Sequence, residues 1–304
     1  MSTRPTCAGG RDGARVVTPA APLRVALAQI DCPWAESRAN LQRMVGWAER
    51  AKTGGAEMVV FPELCVSGIC KDERLASTAE ALDGPSVAFV RMVARDLRLA
   101  IGFGFTEQAA GLPFNTYVVV EPDGRLAGVY RKNHIPRLEV PFWQADTARP
   151  VFRALGRSTA VSTCWDNQHP ELLRHYARGG AEIVLMPHAW DADALDEDGT
   201  VIEYDSMEEI GARLRRTGRM RWKTHDQMRD DFYQTIPGLA REGRFWALFV
   251  NQAGRPHECL DFVGPSFVVD PSGRVVAETG DRAEQIVFAD VGGAVHPLRP
   301  STSC

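Results

Sequence analysis

Apolar positions along this chain fall into two alternating periods. Leu23 to Ile30 (LRVALAQI) is a nearly unbroken apolar run, the pattern of a strand buried on both faces. From Ser37 to Thr53 the period lengthens: Leu41, Met44, Val45 and Ala48 recur on one helical face, and Gly54-Gly55 stops the helix. Glu57 to Phe61 predicts a second short strand. Pro85 to Leu97 predicts a second helix with Val90, Val93 and Leu97 in register, and Leu99 to Phe105 a third strand. Asn115 to Lys132 has the form of a hairpin, NTYVVV then RLAGVYRK, with Pro122-Asp123-Gly124 at its turn.

The second half repeats the plan. Arg157 to Thr163 (RSTAVST) predicts a strand, Pro170 to Arg178 a helix closed by Gly179-Gly180, and Ala181 to Met186 the next strand. Phe245 to Asn251 follows, then the hairpin SFVVD-PSG-RVVAE and a last strand, Gln285 to Ala289. Each half runs strand, helix, strand, helix, strand, hairpin, which implies one α/β domain over residues 23–291 with helices outside a strand-rich core. Residues 1–22 and 292–304 read as tails, the first of them mobile. The segment 191–243 stands apart, acidic at its start and basic from Arg213 to Lys223. Base rates for charge runs favour a solvated surface helix and loop there. Its place directly after the strand AEIVLMP allows a lid or a subunit contact instead.

Composition narrows the field. Of 304 residues, 44% are hydrophobic and 24% charged, the balance of a water-soluble globular domain. The net charge of −4 gives no footprint for nucleic acid or an anionic membrane, and no apolar run is long enough to span a bilayer. The first residues lack the apolar core of a signal peptide. Seven scattered cysteines imply a reducing cytoplasm, not a disulfide framework. No glycine-rich phosphate loop or dinucleotide fingerprint opens a helix.

Chemistry gathers at strand ends. Cys164 closes the run RSTAVST and opens CWDNQHPE. In open α/β proteins the crevice beyond a strand's carboxyl end is where ligands enter, and a thiol there is a candidate nucleophile. A buried, inert cysteine is the alternative. Glu63 follows MVVFP, and Lys132 ends the strand VYRK. Taken singly, a surface carboxylate and a snorkelling lysine account for these two. Together with Cys164 they supply a base, an oxyanion partner and a nucleophile.

The order Glu63, Lys132, Cys164, with its flanks VVFPEL, YRKNHIP and STCWDNQHPE and then GAEIVLMPHAW, resembles the nitrilase superfamily, the carbon–nitrogen hydrolases. The resemblance runs from about Leu23 to Val291. It implies a four-layer αββα sandwich with Glu63 as general base and Cys164 as nucleophile. Lys132 and the backbone N–H of Trp165 would stabilise the tetrahedral intermediate. Glu139, in RLEVP, matches the second active-site glutamate of many members, with an exposed loop carboxylate as the alternative. The resemblance also implies a homodimer or larger homo-oligomer and no metal or organic cofactor.

The expected activity is hydrolysis of a small non-peptide amide or carbamoyl compound through a cysteine thioester. A nitrilase, a non-catalytic binding protein on the same fold and an acyltransferase are the alternatives. Cys-Trp-Asp stands where nitrilases read Cys-Trp-Glu, and Asn167-Gln168 replaces the arginine pair that often marks carbamoylases. Trp143, Trp165, Trp190 and His188 are candidates to line the substrate pocket, the tryptophans serving equally as core or interface aromatics. His134 and His169 read as pocket-lining or structural. No histidine pair has the spacing of a helical zinc motif, and Cys65 and Cys70 lack a second close pair. Glu171 suits the first turn of the helix after Cys164.

Overall fold

The first apolar run forms β1 (Leu23–Gln29), and the amphipathic segment after it forms α1 (Ser37–Thr53). β2 (Met58–Val60), α2 (Pro85–Leu97) and β3 (Ala100–Glu107) follow, then the hairpin of β4 (Phe114–Val120) and β5 (Leu126–Arg131). The computed structural model describes residues 21–70, 72–195, 221–257 and 260–292, together with positions 199, 201, 209 and 212. The predicted tails fall almost wholly outside these residues, as does Arg213 to Met220 of the basic stretch.

The second half builds the same series. β6 (Phe152–Ala154) leads into β7 (Arg157–Val161), α3 (Pro170–Arg178) and β8 (Ile183–Pro187). Then come the two-residue strands β9 (Ala194–Leu195) and β10 (Arg221–Trp222), α4 (His225–Gly243) and β11 (Trp246–Val250). After the short pair β12 (Ala253–His257) and β13 (Leu260–Val263), the hairpin of β14 (Phe267–Val269) and β15 (Val275–Glu278) precedes β16 (Gln285–Val291).

Two six-stranded sheets result, ordered β16-β1-β2-β3-β4-β5 and β15-β14-β11-β8-β7-β6. In the first, β1, β2 and β3 are parallel; in the second, β7, β8 and β11 are. Each parallel trio carries its hairpin on one side and a single antiparallel strand on the other. The closing strand β16 completes the first sheet, so the chain's two ends of the domain meet in one layer.

Alternation within strands explains the four layers. Ala26, Ala28, Val59 and Ile101 turn outward and pack with Met44, Ala48, Val90 and Val93 of α1 and α2. Val25, Leu27, Met58 and Val60 turn inward to the second sheet, whose far face is covered by Leu172, Leu173 and Tyr176 of α3 and Phe232 and Ile236 of α4. Burial on both faces is why these strands read as continuous apolar runs rather than alternating ones. The αββα sandwich is therefore the architecture of the chain.

One expectation needs correction. The solvated-surface reading of 191–243 fails for α4, where His225, Met228, Phe232, Ile236 and Ala240 are buried at helical spacing. This helix is the counterpart of α2. Its start was written in the sequence: Thr224 accepts from the Gln227 N–H, and the Gln227 side chain accepts from the Thr224 N–H, a capping box.

Gly104 on β3 positions the site by lacking a side chain. A Cβ there would lie 2.5 Å from the backbone nitrogen of Leu64, in the turn that carries Glu63. Gly104→Ala should therefore cost about 1–3 kcal/mol, the range for overpacking, and lower activity as well because the backbone that yields belongs to that turn. Thermal unfolding and turnover of the variant check this; an unchanged Tm would show that the turn yields freely.

Candidate active site

Five strand ends converge. Glu63 lies just beyond β2, Lys132 directly after β5 and Cys164 after β7; the loops beyond β8 and β11 contribute Ala189 and Gln252. Parallel strands from both sheets thus open toward one place. Two of the turns use left-handed backbone at non-glycine residues, Leu64 (φ 50°) and Cys164 (φ 51°). That conformation costs roughly 1–2 kcal/mol per residue and persists where surrounding contacts fix it.

Glu63 is the centre of the network and is buried. Its Oε1 accepts from Lys132 Nζ at 2.8 Å and from Asn115 Nδ2 at 2.7 Å, and its Oε2 accepts from the Ala189 N–H at 2.7 Å. Its backbone oxygen accepts from Gln252 Nε2 at 2.8 Å. Lys132 Nζ also stands 3.8 Å from Glu139 Oε2, and the Lys132 backbone N–H donates to the Asn115 oxygen at 2.9 Å. Cys164 lies close enough for the Glu63 and Lys132 charges to act on its thiol. Glu63, Lys132, Cys164 and Glu139 are all under 9% exposed, which removes the readings of Glu63 and Glu139 as exposed carboxylates and of Lys132 as a snorkelling lysine.

Protonation follows from this packing. Burial alone would raise the Glu63 carboxyl, but the charge and hydrogen bond of Lys132, with His188 and Asn115, hold it below its ordinary value. Burial alone would lower Lys132; Glu63, Cys164 and Glu139 raise it above the ordinary lysine range. Burial and then the Glu63 charge push the Cys164 thiol well up, with Lys132 opposing them. At neutral pH the cluster rests as carboxylate, ammonium and thiol. A thiol that comes within reach of a carboxylate can pass its proton as the sulfur attacks.

The other sequence candidates occupy distinct places. Trp165 follows Cys164 and is 36% exposed, its ring 5.6 Å from that of half-buried Trp190. Trp143 is buried in a small cluster with Leu64, Ala189 and Phe262 under the site's loops. His188 is wholly buried and stacked on Phe249, with ring centroids 3.9 Å apart. Its Nδ1–H donates to the Met186 oxygen at 2.8 Å, so its Nε2 accepts from Asn167 Nδ2 at 3.1 Å. Glu171 lies in the first turn of α3, as expected.

His134, His169 and Glu171 bring three potential ligand atoms within 4.8 Å of one another. The two imidazoles are stacked, 3.7 Å between centroids and 9° from parallel. Their in-plane lone pairs therefore lie in separate planes and do not meet at one ion.

Asn115 and Gln252, which hold Glu63, were not singled out in the sequence, and Asp166 was read there only in Cys-Trp-Asp, as a marker of substrate class. Asn115 and Gln252 are buried polar side chains in otherwise apolar strand surroundings (FNTYVVV and LFVNQ), and such groups need partners. That was the available signal.

His188 generates a pH prediction. Burial, the first cause, depresses its pKa from 6.5 to about 4, against the hydrogen bond to Met186. The unfolded chain takes up its proton near pH 6.5, whereas the folded chain does so only near pH 4. Between these values the unfolded state binds more protons, so stability falls as the pH drops through that window, by about 3 kcal/mol at roughly 1.4 kcal/mol per unit. Urea unfolding from pH 7 to pH 4 should show this slope, and His188→Gln should flatten it by about one proton. An identical slope in the variant would remove His188 as the source.

Comparison with known proteins places this geometry. Residues 24–299 match the carbon-nitrogen hydrolase family model. An (R)-stereoselective amidase from Pseudomonas sp is 28% identical over 271 residues, 88% of this chain and 85% of that protein. An N-carbamoylputrescine amidase from Oryza sativa subsp. japonica is 26% identical over 298 residues, covering 93% and 87%. Among solved structures, a mutant of the amidase from Nesterenkonia sp. AN1, carrying the acetamide moiety of fluoroacetamide covalently added at its active-site cysteine, superposes with a TM-score of 0.71. It is 22% identical, and the match covers 90% of this chain and 91% of that one.

Proposed function

The chain belongs to the carbon–nitrogen hydrolase family, and from that premise we propose that it hydrolyses the C–N bond of a small non-peptide amide through a thioester on Cys164. The observation that carries this reading is the buried Glu63 carboxylate, bonded to the Lys132 ammonium while its charge acts on the Cys164 thiol. Glu63 takes the S–H proton as sulfur bonds to the carbonyl carbon, and the carbonyl π electrons move onto oxygen. Lys132 Nζ and the Trp165 N–H face that oxyanion, each such donor being worth about 3–4 kcal/mol of barrier. Glu63 returns the proton to the departing nitrogen, the C–N bond breaks, and ammonia or an amine leaves. Water then gives a proton to Glu63 and attacks the thioester; the C–S bond breaks and the sulfur is reprotonated.

Glu139, the second carboxylate beside Lys132, accepts from the substrate's amide N–H in this scheme. Trp165 and Trp190 form an aromatic wall for the acyl group, while Trp143 and His188 support it from behind. The amidase relatives favour an amide over a nitrile, and the N-carbamoylputrescine amidase keeps carbamoyl compounds within the substrate class. Among the described residues no helix is long and apolar enough to cross a membrane. Cys32, Cys65, Cys70 and Cys164 are all unpaired thiols, in keeping with a reducing cytoplasm. The family resemblance supports a homodimer or larger homo-oligomer.

Ammonia release from a panel of small amides, carbamoyl compounds and nitriles tests the reading. Amides should turn over fastest, Cys164→Ala should lose roughly a thousandfold or more with its fold intact, and a 2-haloacetamide should add one adduct at Cys164 by mass. Turnover retained by Cys164→Ala would sink the nucleophile assignment.

A further inference from the structure

Asp166, two residues after the nucleophile, is wholly buried. Its carboxylate accepts four hydrogen bonds from three residues. Oδ1 takes the His134 N–H and His134 Nδ1, both at 2.8 Å; Oδ2 takes the Tyr130 hydroxyl at 2.7 Å and the Thr163 N–H at 3.1 Å. The Asp166 backbone N–H closes the turn by donating to the Thr163 oxygen at 3.0 Å.

The placement of these donors is the point. Tyr130 and His134 stand two residues before and two after Lys132, at the end of β5 in the first sheet. Thr163 immediately precedes Cys164, at the end of β7 in the second. One carboxylate thus grips both flanks of the lysine and the backbone that sets the nucleophile. Cys164 is held left-handed in that turn, a conformation that relaxes unless neighbouring contacts fix it. The donors specify the residue type as well: three N–H groups and a hydroxyl converge on two oxygens, which an acceptor-only group satisfies in full.

We propose that Asp166 is a positioning residue for the hydrolysis, tying the Lys132 strand end to the Cys164 turn so that thiol, carboxylate and ammonium stay within proton-transfer range. The inference rests on the amide-hydrolase reading for its turnover test and on the geometry alone for its second test. Asp166 touches no reacting atom. It acts by fixing where Cys164 sits relative to Glu63 and Lys132.

Asp166→Asn keeps the size and replaces one acceptor with a donor that must oppose the existing donors. Turnover of the best amide should fall about a hundredfold, the scale of a reacting group misplaced by an ångström. The distinguishing readout is alkylation of Cys164 by iodoacetamide as a function of pH, followed by mass. In the wild type, Glu63 assists loss of the thiol proton; in the variant, alkylation at neutral pH should slow about tenfold or more and recover only as the pH rises. Tyr130→Phe removes one donor while keeping the ring, and should give a smaller change in the same direction, about fivefold in turnover. If folded Asp166→Asn has wild-type turnover and an unchanged alkylation profile, the proposal is overturned. Should Asp166→Asn fail to fold, an unchanged profile in Tyr130→Phe together with His134→Gln overturns it instead. A wild type that alkylates as expected but turns over no amide would defeat the functional reading and leave the positioning role standing on its own test.

Discussion

The Lys132–Glu63 ion pair, sealed from water, is the constraint on which the rest of this site depends. Each partner is 1% exposed, and each charge would be costly to bury alone. Removing one partner of such a pair typically costs about 3–5 kcal/mol, because an uncompensated charge is left behind. The attraction fixes more than stability. It keeps Glu63 ionised in a place where burial would otherwise neutralise it, and an ionised carboxylate is what a thiol needs beside it. Asn115 and the Ala189 N–H use up further lone pairs of Glu63 and so fix the orientation of its carboxylate.

The fold supplies this arrangement through its internal repetition. Two parallel trios, one in each sheet, point their carboxyl ends to the same cluster of side chains, so groups far apart in the chain arrive together. The first sheet delivers the Glu63 carboxylate and the Lys132 ammonium; the second delivers the Cys164 thiol, the Ala189 N–H and the Gln252 amide. Neither sheet holds a complete site. Contact between the layers is therefore part of the site, and the polar links across it are fixed: Gln252 to the Glu63 backbone, the Ala189 N–H to the Glu63 carboxylate, and Asp166 to both sides of Lys132. Apolar packing between the sheets sets their spacing, while these links set which residues face each other.

Much of this was legible in the residue pattern, for reasons that also explain what was not. α1, α2 and α3 declare themselves because one face alone is apolar and glycine or proline marks the ends, and they form at the predicted residues. The central strands declare themselves as apolar runs because helices and a second sheet cover both faces. Glu63, Lys132 and Cys164 stand out because a polar group at the end of such a run needs a reason. α4 was obscured by the charges on its outer face and by the charged segment before it, although Thr224 and Gln227 mark its start. Asn115, Gln252 and Asp166 act through partners distant in sequence, and no local period encodes a partner. His188 was visible as a residue near the site, but its burial follows only from Phe249 stacked on it and Phe232 set edge-on to it.

The charges at the site also decide how the sulfur is activated. A preformed thiolate would place a third negative charge beside Glu63 and Glu139 with one ammonium among them, in a region where burial penalises every ion. The thiol is accordingly held well above its ordinary pKa, unlike cysteines activated by a neighbouring imidazolium. His188 offers no alternative base: Nδ1 is committed to the Met186 oxygen, Nε2 faces Asn167, and burial keeps the ring neutral down to about pH 4. In the proposed scheme negative charge therefore moves from Glu63 to sulfur and on to the carbonyl oxygen as the bond forms, and it stays within reach of Lys132. The lysine meets a single mobile charge throughout, first as a carboxylate and then as an oxyanion, so one buried cation serves the resting state and the transition state alike.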